Sequence, residues 1–359
     1  MIRRLFFLSA FVFSFALSAF AQQPKSLFYL TRDPNSVRSF LAHPDKIDIL
    51  VPAWYLADAN GLVSGGPNPL VLDTARQHHV PVMPIVNGAG FVQADVHKLL
   101  ANPAAYREMF LELISACKQN GYTGFQFDFE NVNWADRDLL SAMIREAANS
   151  FHAQNLQISI ATVPNSPGAA GETGFDAWLF ENWQGAYDLK SLAQSADFIC
   201  LMTYDEHTPY TPPGPIAGWQ WTVRNLAYAL QFVPANKLFL GIPLYGTHWF
   251  AGTPTIAPPV AGAPLAPVDK PNPSAQPIST PDALDLARAY GGHLEWDPED
   301  RTSWFYFYRD GMREWIFYTD ARTFSERYDL AKRRGLAGFC SWVLGAEDPG
   351  IWDLLPSHK

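Results

Sequence analysis

The chain has 359 residues, 48% hydrophobic and 17% charged, with 26 Lys+Arg against 35 Asp+Glu and a formal charge of −9. That length suits one large α/β barrel or two ordinary domains, and so apolar a composition excludes wholesale disorder. The acidic balance argues against nucleic acid or an anionic membrane surface as partner.

The first segment reads as an export leader over residues 1–21. Arg3 and Arg4 precede an apolar run over 5–20, and Ala19-Phe20-Ala21 places small residues at a cleavage site before Gln22. The run is short for a membrane span, although an uncleaved anchor has the same outline. Cleavage removes two arginines and no acid, which takes the formal charge from −9 to −11. The mature chain is expected in the periplasm or outside the cell, off the membrane, as a monomer.

Eight β-rich apolar runs follow, over 27–30, 47–54, 80–86, 123–129, 157–162, 198–203, 238–243 and 337–342. Amphipathic helical patterns lie between most of them, over 103–119, 136–153 and 219–232. In the first, Tyr106, Met109, Phe110, Leu113, Ile114 and Cys117 recur at helical spacing. Eight strands alternating with helices predict a (β/α)8 TIM barrel over 22–246 and 315–359; a doubly wound open sheet shares the pattern but not the count. Residues 247–314 interrupt the alternation. A Pro-rich stretch to residue 281 reads as an extended loop. A short helix over 282–290 and strands over 293–296, 303–308 and 314–318 then make a small α+β insertion. Cys117, Cys200 and Cys340 are far apart, with no metal-binding spacing, and read as core residues.

The fourth strand carries the chemistry. In Thr123-Gly-Phe-Gln-Phe-Asp-Phe-Glu130, strand alternation puts Phe125, Phe127 and Phe129 on one face, toward the helices. Gln126, Asp128 and Glu130 share the other face, toward the barrel interior. Buried polar groups in such a row are costly unless paired or used. Carboxylates two residues apart sit about 6.5 Å apart at Cα, close enough to raise each other's proton affinity. Glu130, nearest the mouth, is the better general acid. A structural carboxylate pair or a metal site are the alternatives, and no His stands nearby in sequence to complete a ligand set. The sixth strand ends Met202-Thr-Tyr-Asp205, and the eighth ends at Trp342. Trp54 and Tyr245 follow strands at the same end, where flat rings suit sugar stacking.

These strings resemble glycoside hydrolase family 18. That family's DxxDxDxE motif is matched by Thr123, Gln126, Asp128 and Glu130, its MxYD by Met202, Tyr204 and Asp205, and its final Trp by Trp342. Phe127-Asp-Phe-Glu-Asn-Val132, Met202-Thr-Tyr-Asp-Glu-His207, Gly241-Ile-Pro-Leu-Tyr-Gly246 and Trp342-Val-Leu-Gly345 look most like its spore-cortex and peptidoglycan-hydrolase branch. The resemblance implies a retaining glycosidase that cuts β-1,4 bonds next to N-acetylglucosamine, in peptidoglycan or chitin, with no metal or cofactor. It implies Glu130 as proton donor and Asp128 and Tyr204 as partners of the substrate's 2-acetamido group. Gln126, Met202, Asp205, Trp342, Tyr245 and Trp54 would bind substrate. Thr123 and Gln126 stand where the family has acids. Gln126 can hydrogen-bond Asp128 but cannot share its proton, so a shifted pH profile is expected rather than lost activity. A non-catalytic lectin is the alternative from another class, and it has no need of Glu130 or Asp128.

Overall fold

The computed structural model describes residues 23–209, 211–250 and 274–357. The expected leader and most of the Pro-rich stretch lie outside the described residues. In chain order the strands are β1 (Lys25–Leu30), β2 (Ile49–Ala57), β3 (Val63–Gly65), β4 (Ile85–Gly88), β5 (Gly124–Asp128), β6 (Gln157–Thr162) and β7 (Phe198–Leu201). Then come β8 (Leu238–Pro243), β9 (Tyr245–Phe250), β10 (Ser274–Ser279), β11 (Glu295–Asp297), β12 (Thr302–Arg309), β13 (Met312–Tyr318) and β14 (Gly338–Trp342).

Eight of these close a parallel barrel in the order β1-β14-β8-β7-β6-β5-β4-β2, with β1 pairing back to β2. This is the (β/α)8 barrel expected from the alternation. Strand β4 begins at Ile85 rather than at 80, because Pro81 and Pro84 interrupt the ladder; Val82 makes only an isolated bridge to Leu50. The helices obey their end signals. Pro103–Asn120 starts on Asn102, whose side chain accepts from Ala105 N, carries Pro at its first turn and stops at Gly121 in the left-handed region (φ 74°).

The barrel has two apolar layers. Between strands and helices, Phe125, Phe127 and Phe129 pack with Phe110 and Phe151. Inside the strands lie Leu27, Tyr29, Met83, Cys200, Met202, Tyr204 and Cys340. The three cysteines are buried and unbridged.

Between β8 and β14 stands a five-stranded antiparallel sheet in the order β10-β9-β13-β12-β11. It begins earlier and is larger than the sequence suggested. Residues 247–250, expected in a loop, belong to β9, and 274–279 form β10. Pro277 sits on β10, which among the described residues pairs only with β9; an edge strand tolerates the missing N–H. The helix Thr280–Tyr290 covers one face, with Ala283 and Ala287 against Phe305, Phe307, Ile316 and Tyr318. Asp310 (φ 52°) and Gly311 (φ 75°) turn the β12–β13 hairpin, with Arg309 opposite Met312.

Candidate active site

Strand β5 delivers the carboxylates. It starts at Gly124, where φ is 156° and a Cβ would lie 1.8 Å from the Gln157 carbonyl oxygen; no other residue fits. Beyond Asp128 the chain is held firmly. Tyr187 donates to the Phe129 carbonyl (2.8 Å), and Asn131, left-handed at φ 54°, donates to the Phe91 carbonyl (2.9 Å). This locking aims Glu130 into a cleft of about 510 Å³ at the C-terminal end of the barrel.

Strand β7 supplies the facing group. Thr203 donates to the Gly241 carbonyl (2.7 Å), and Asp205 turns the chain at φ 63°. Met202, Tyr204, Asp205 and Glu206 thereby line the cleft with Glu130. Tyr245, at the start of β9, donates from its hydroxyl to Asp205 Oδ1.

The electrostatics are those of carboxylates held out of water. Burial pushes Asp128 up to about 7. Burial, then the neighbouring charges of Asp128 and Asp205, hold Glu130 well above the ordinary carboxylate range. Asp205 is raised by burial against the opposing hydrogen bond from Tyr245. Burial raises both phenols, so Tyr204 and Tyr245 remain donors at any physiological pH. Burial also lifts Glu206 to about 7, with Asp300 adding to it; its Oε2 accepts the Gly218 N–H at 2.6 Å. A carboxylic acid protonated near neutrality, beside a second carboxylate and a fixed phenol, can donate a proton and stabilise developing positive charge.

Two of the expected binding residues lie elsewhere. Trp54 is 2% exposed and packs in the strand–helix layer near Tyr122. The register of β2 against β4 shifts between Ala53 and Tyr55, so Trp54 and Tyr55 both join the outer layer. Gln126 is fully buried below the cleft. Its Nε2 donates to Ser159 Oγ (3.1 Å) and Cys200 Sγ (3.2 Å), and not to Asp128. Trp342 ends β14 half-buried, its ring 5.4 Å from that of Tyr29, packed against the interior cluster that includes Met202 and Tyr204.

The cleft also holds aromatics that the sequence reading passed over. Phe175 and Trp178, stacked at 6.0 Å, line one wall with Trp183 and Trp221. Thr247, Ala275 and Pro277 of the inserted sheet line the cleft as well. Phe175, Trp178 and Trp183 stand on a six-residue helix and the π-helical turn after it, which give no periodic signal. Two Trp and two Phe within the nine residues 175–183, in a loop after a barrel strand, were the available clue.

The cortical fragment-lytic enzyme of Bacillus subtilis is 28% identical over 258 residues, 72% of this chain and 54% of that protein; the chain thus spans about half of that relative. Among solved structures, the spore cortex-lytic enzyme SleL of Bacillus megaterium superposes with a TM-score of 0.77 at 22% identity, over 92% of this chain and 73% of that one. A chitinase from Chromobacterium violaceum superposes at 0.78 with 24% identity, over 92% and 97% of the two chains. The family model for glycosyl hydrolases family 18 matches residues 25–347, nearly the whole described barrel and insertion, and the chain belongs to that family of glycosidases.

Proposed function

We propose that this glycosidase is exported and cleaves β-1,4 bonds at N-acetylglucosamine in a cell-wall or chitin-type polysaccharide, with retention and with help from the substrate. The observation that carries the reading is Glu130 with raised proton affinity, sharing one cleft with Tyr204 and Asp205 directly above Asp128. Export rests on Arg3, Arg4, the apolar run behind them and Ala19-Phe20-Ala21.

Glu130 protonates the glycosidic oxygen as the bond to C1 breaks. The carbonyl oxygen of the 2-acetamido group closes on C1 and forms an oxazolinium ring. Asp128 accepts from the acetamido N–H and offsets the positive charge, which a buried carboxylate does strongly. Tyr204, always protonated, donates to the acetamido oxygen and keeps it in line. Glu130, now ionised, takes a proton from water as it attacks C1. Asp205, fixed by Tyr245, orients the sugar.

Peptidoglycan is the preferred polymer, on the likeness to cortical fragment-lytic enzymes; the structural likeness to a chitinase makes chitin the second reading. A lectin-like role is disfavoured because Glu130 and Asp128 are both kept at the cost of burying two carboxylates. The test is Glu130→Gln. Loss of turnover with binding retained is expected, and a folded variant with wild-type turnover overturns the assignment. A first-formed product of inverted anomeric configuration overturns substrate assistance.

A further inference from the structure

The inserted sheet has two faces, and only one is covered by its helix. Cross-strand pairing identifies what lies on the other. Thr247 of β9 stands opposite Phe317 of β13, which stands opposite Trp304 of β12. In the next row Trp249 faces Trp315, and Trp315 faces Tyr306; at the far end Arg313 faces Tyr308. Directly paired residues project to the same side of an antiparallel sheet. This is also the side that Tyr245, Thr247, Ala275 and Pro277 present to the catalytic cleft. Trp249 on this face is fully buried, so the face leads outward from the cleft wall through Thr247, Phe317 and Trp304, the last two half-buried, to Tyr306.

That surface becomes exposed as it leaves the barrel. Tyr306 is 41% and Tyr308 53% exposed. The rings are arranged rather than scattered. Trp304 lies nearly parallel to Phe317 (5.9 Å, 17°) and to Tyr306 (6.2 Å, 28°), and Tyr308 stands edge-on to Tyr306 (6.0 Å, 89°). Arg313 fixes the end of the row: its guanidinium lies 4.8 Å from the Tyr306 ring centre and 5.3 Å from that of Tyr308, and it donates to the Tyr308 hydroxyl. Exposed rings held in place by a cation cost solvation and bring nothing to the core.

We propose that the Trp304–Tyr306–Tyr308 row, with Arg313, is a second carbohydrate-binding surface that holds a distant part of the polysaccharide whose other end occupies the cleft. The occupant follows from continuity, because the same sheet face lines the cleft. The near-parallel Trp304 and Tyr306 rings offer a flat platform for the apolar face of a pyranose, and the edge-on Tyr308, with its phenol and the Arg313 guanidinium, stands at the platform's end to meet the hydroxyls of the next sugar. The surface acts on long or insoluble polymer and is idle toward short fragments. The inference rests on the polysaccharide reading above, so the experiment separates the two.

The full-length mature protein and its Tyr306→Ala/Tyr308→Ala variant are compared in two assays: co-sedimentation with insoluble peptidoglycan and chitin, and turnover of short soluble N-acetylglucosamine oligomers. Tyr290→Ala, an exposed ring on the helix side of the same insertion, is the control. The double variant is expected to sediment about tenfold more weakly with the polymer it cleaves, with kcat/KM on oligomers unchanged. The control is expected to match wild type in both. Unchanged sedimentation of the double variant overturns the proposal, as does equal weakening by Tyr290→Ala. A parallel loss on oligomers also overturns it, since the rings then serve the fold or the cleft. If no oligomer or polymer is turned over by wild type, the catalytic reading fails, while sedimentation still decides the surface.

Discussion

At the scale of single residues, function rests on what burial does to proton affinity. Removing the proton from Glu130 by Glu130→Gln should lower kcat by about 10²- to 10⁴-fold, with affinity for oligomers retained, as initial rates and calorimetry would show. Asp128 has a stability consequence of definite sign. Its carboxyl holds a proton to about pH 7 in the fold but to the ordinary carboxylate range when unfolded. The folded state therefore binds more protons across that window, and stability falls as pH rises through it. Asp128→Asn should abolish activity yet stabilise the protein at pH 8 relative to wild type, by on the order of 1–3 kcal/mol, with the advantage vanishing near pH 4. Denaturant midpoints at the two pH values check this; a variant less stable at pH 8 than at pH 4, relative to wild type, contradicts it. The alternation of Phe125, Phe127 and Phe129 against Gln126 and Asp128 was legible because a strand buried on both faces must sort its side chains. The role of Gln126 was not. Its position on the inward face says nothing of depth, and two residues below Asp128 means the barrel interior, where Ser159 and Cys200 are its partners.

At the scale of elements, the loops carry what the strand pattern could not convey. Phe175, Trp178 and Trp183 form a wall of the cleft from a short helix and a π-turn, so no period marked them. Trp183→Ala should raise KM for oligomers several-fold while changing kcat little, the signature of an interaction made equally in ground and transition states. A fall in kcat at unchanged KM speaks against that role. Trp54 illustrates the opposite failure. The strand itself was evident, but simple alternation already sets Trp54 on the outer face with Leu50, opposite Val51 and Ala53, and the register shift after Ala53 redirects only Tyr55 and the residues beyond it. Strand β10 was hidden by Pro277, which a strand tolerates only at a sheet edge, where the missing N–H is not needed. Gly124 is an element-scale constraint of another kind. Gly124→Ala drives a methyl into the Gln157 backbone, and a loss of more than about 2 kcal/mol in denaturant unfolding is expected.

At the scale of the molecule, the barrel supplies a rigid mouth and the insertion a wall and an outlying surface. The eight-strand count was readable in sequence because each strand is a short apolar run bounded by turns or helices; the extent of the insertion was not, because its first two strands look like linker. The acidic formal charge of −9 becomes −11 in the exported chain if the leader is removed after Ala21. Sequencing of the protein recovered from outside the cytoplasm should begin at Gln22, and a chain retaining Arg3 and Arg4 contradicts that export route.

The most direct test of the account is mass analysis of the products released from purified peptidoglycan and from chitin oligomers by the mature protein and its Glu130→Gln variant. Fragments ending in reducing N-acetylglucosamine are expected from at least one of the two with wild type, and none with the variant. Release from neither by wild type, or equal release by both proteins, contradicts it.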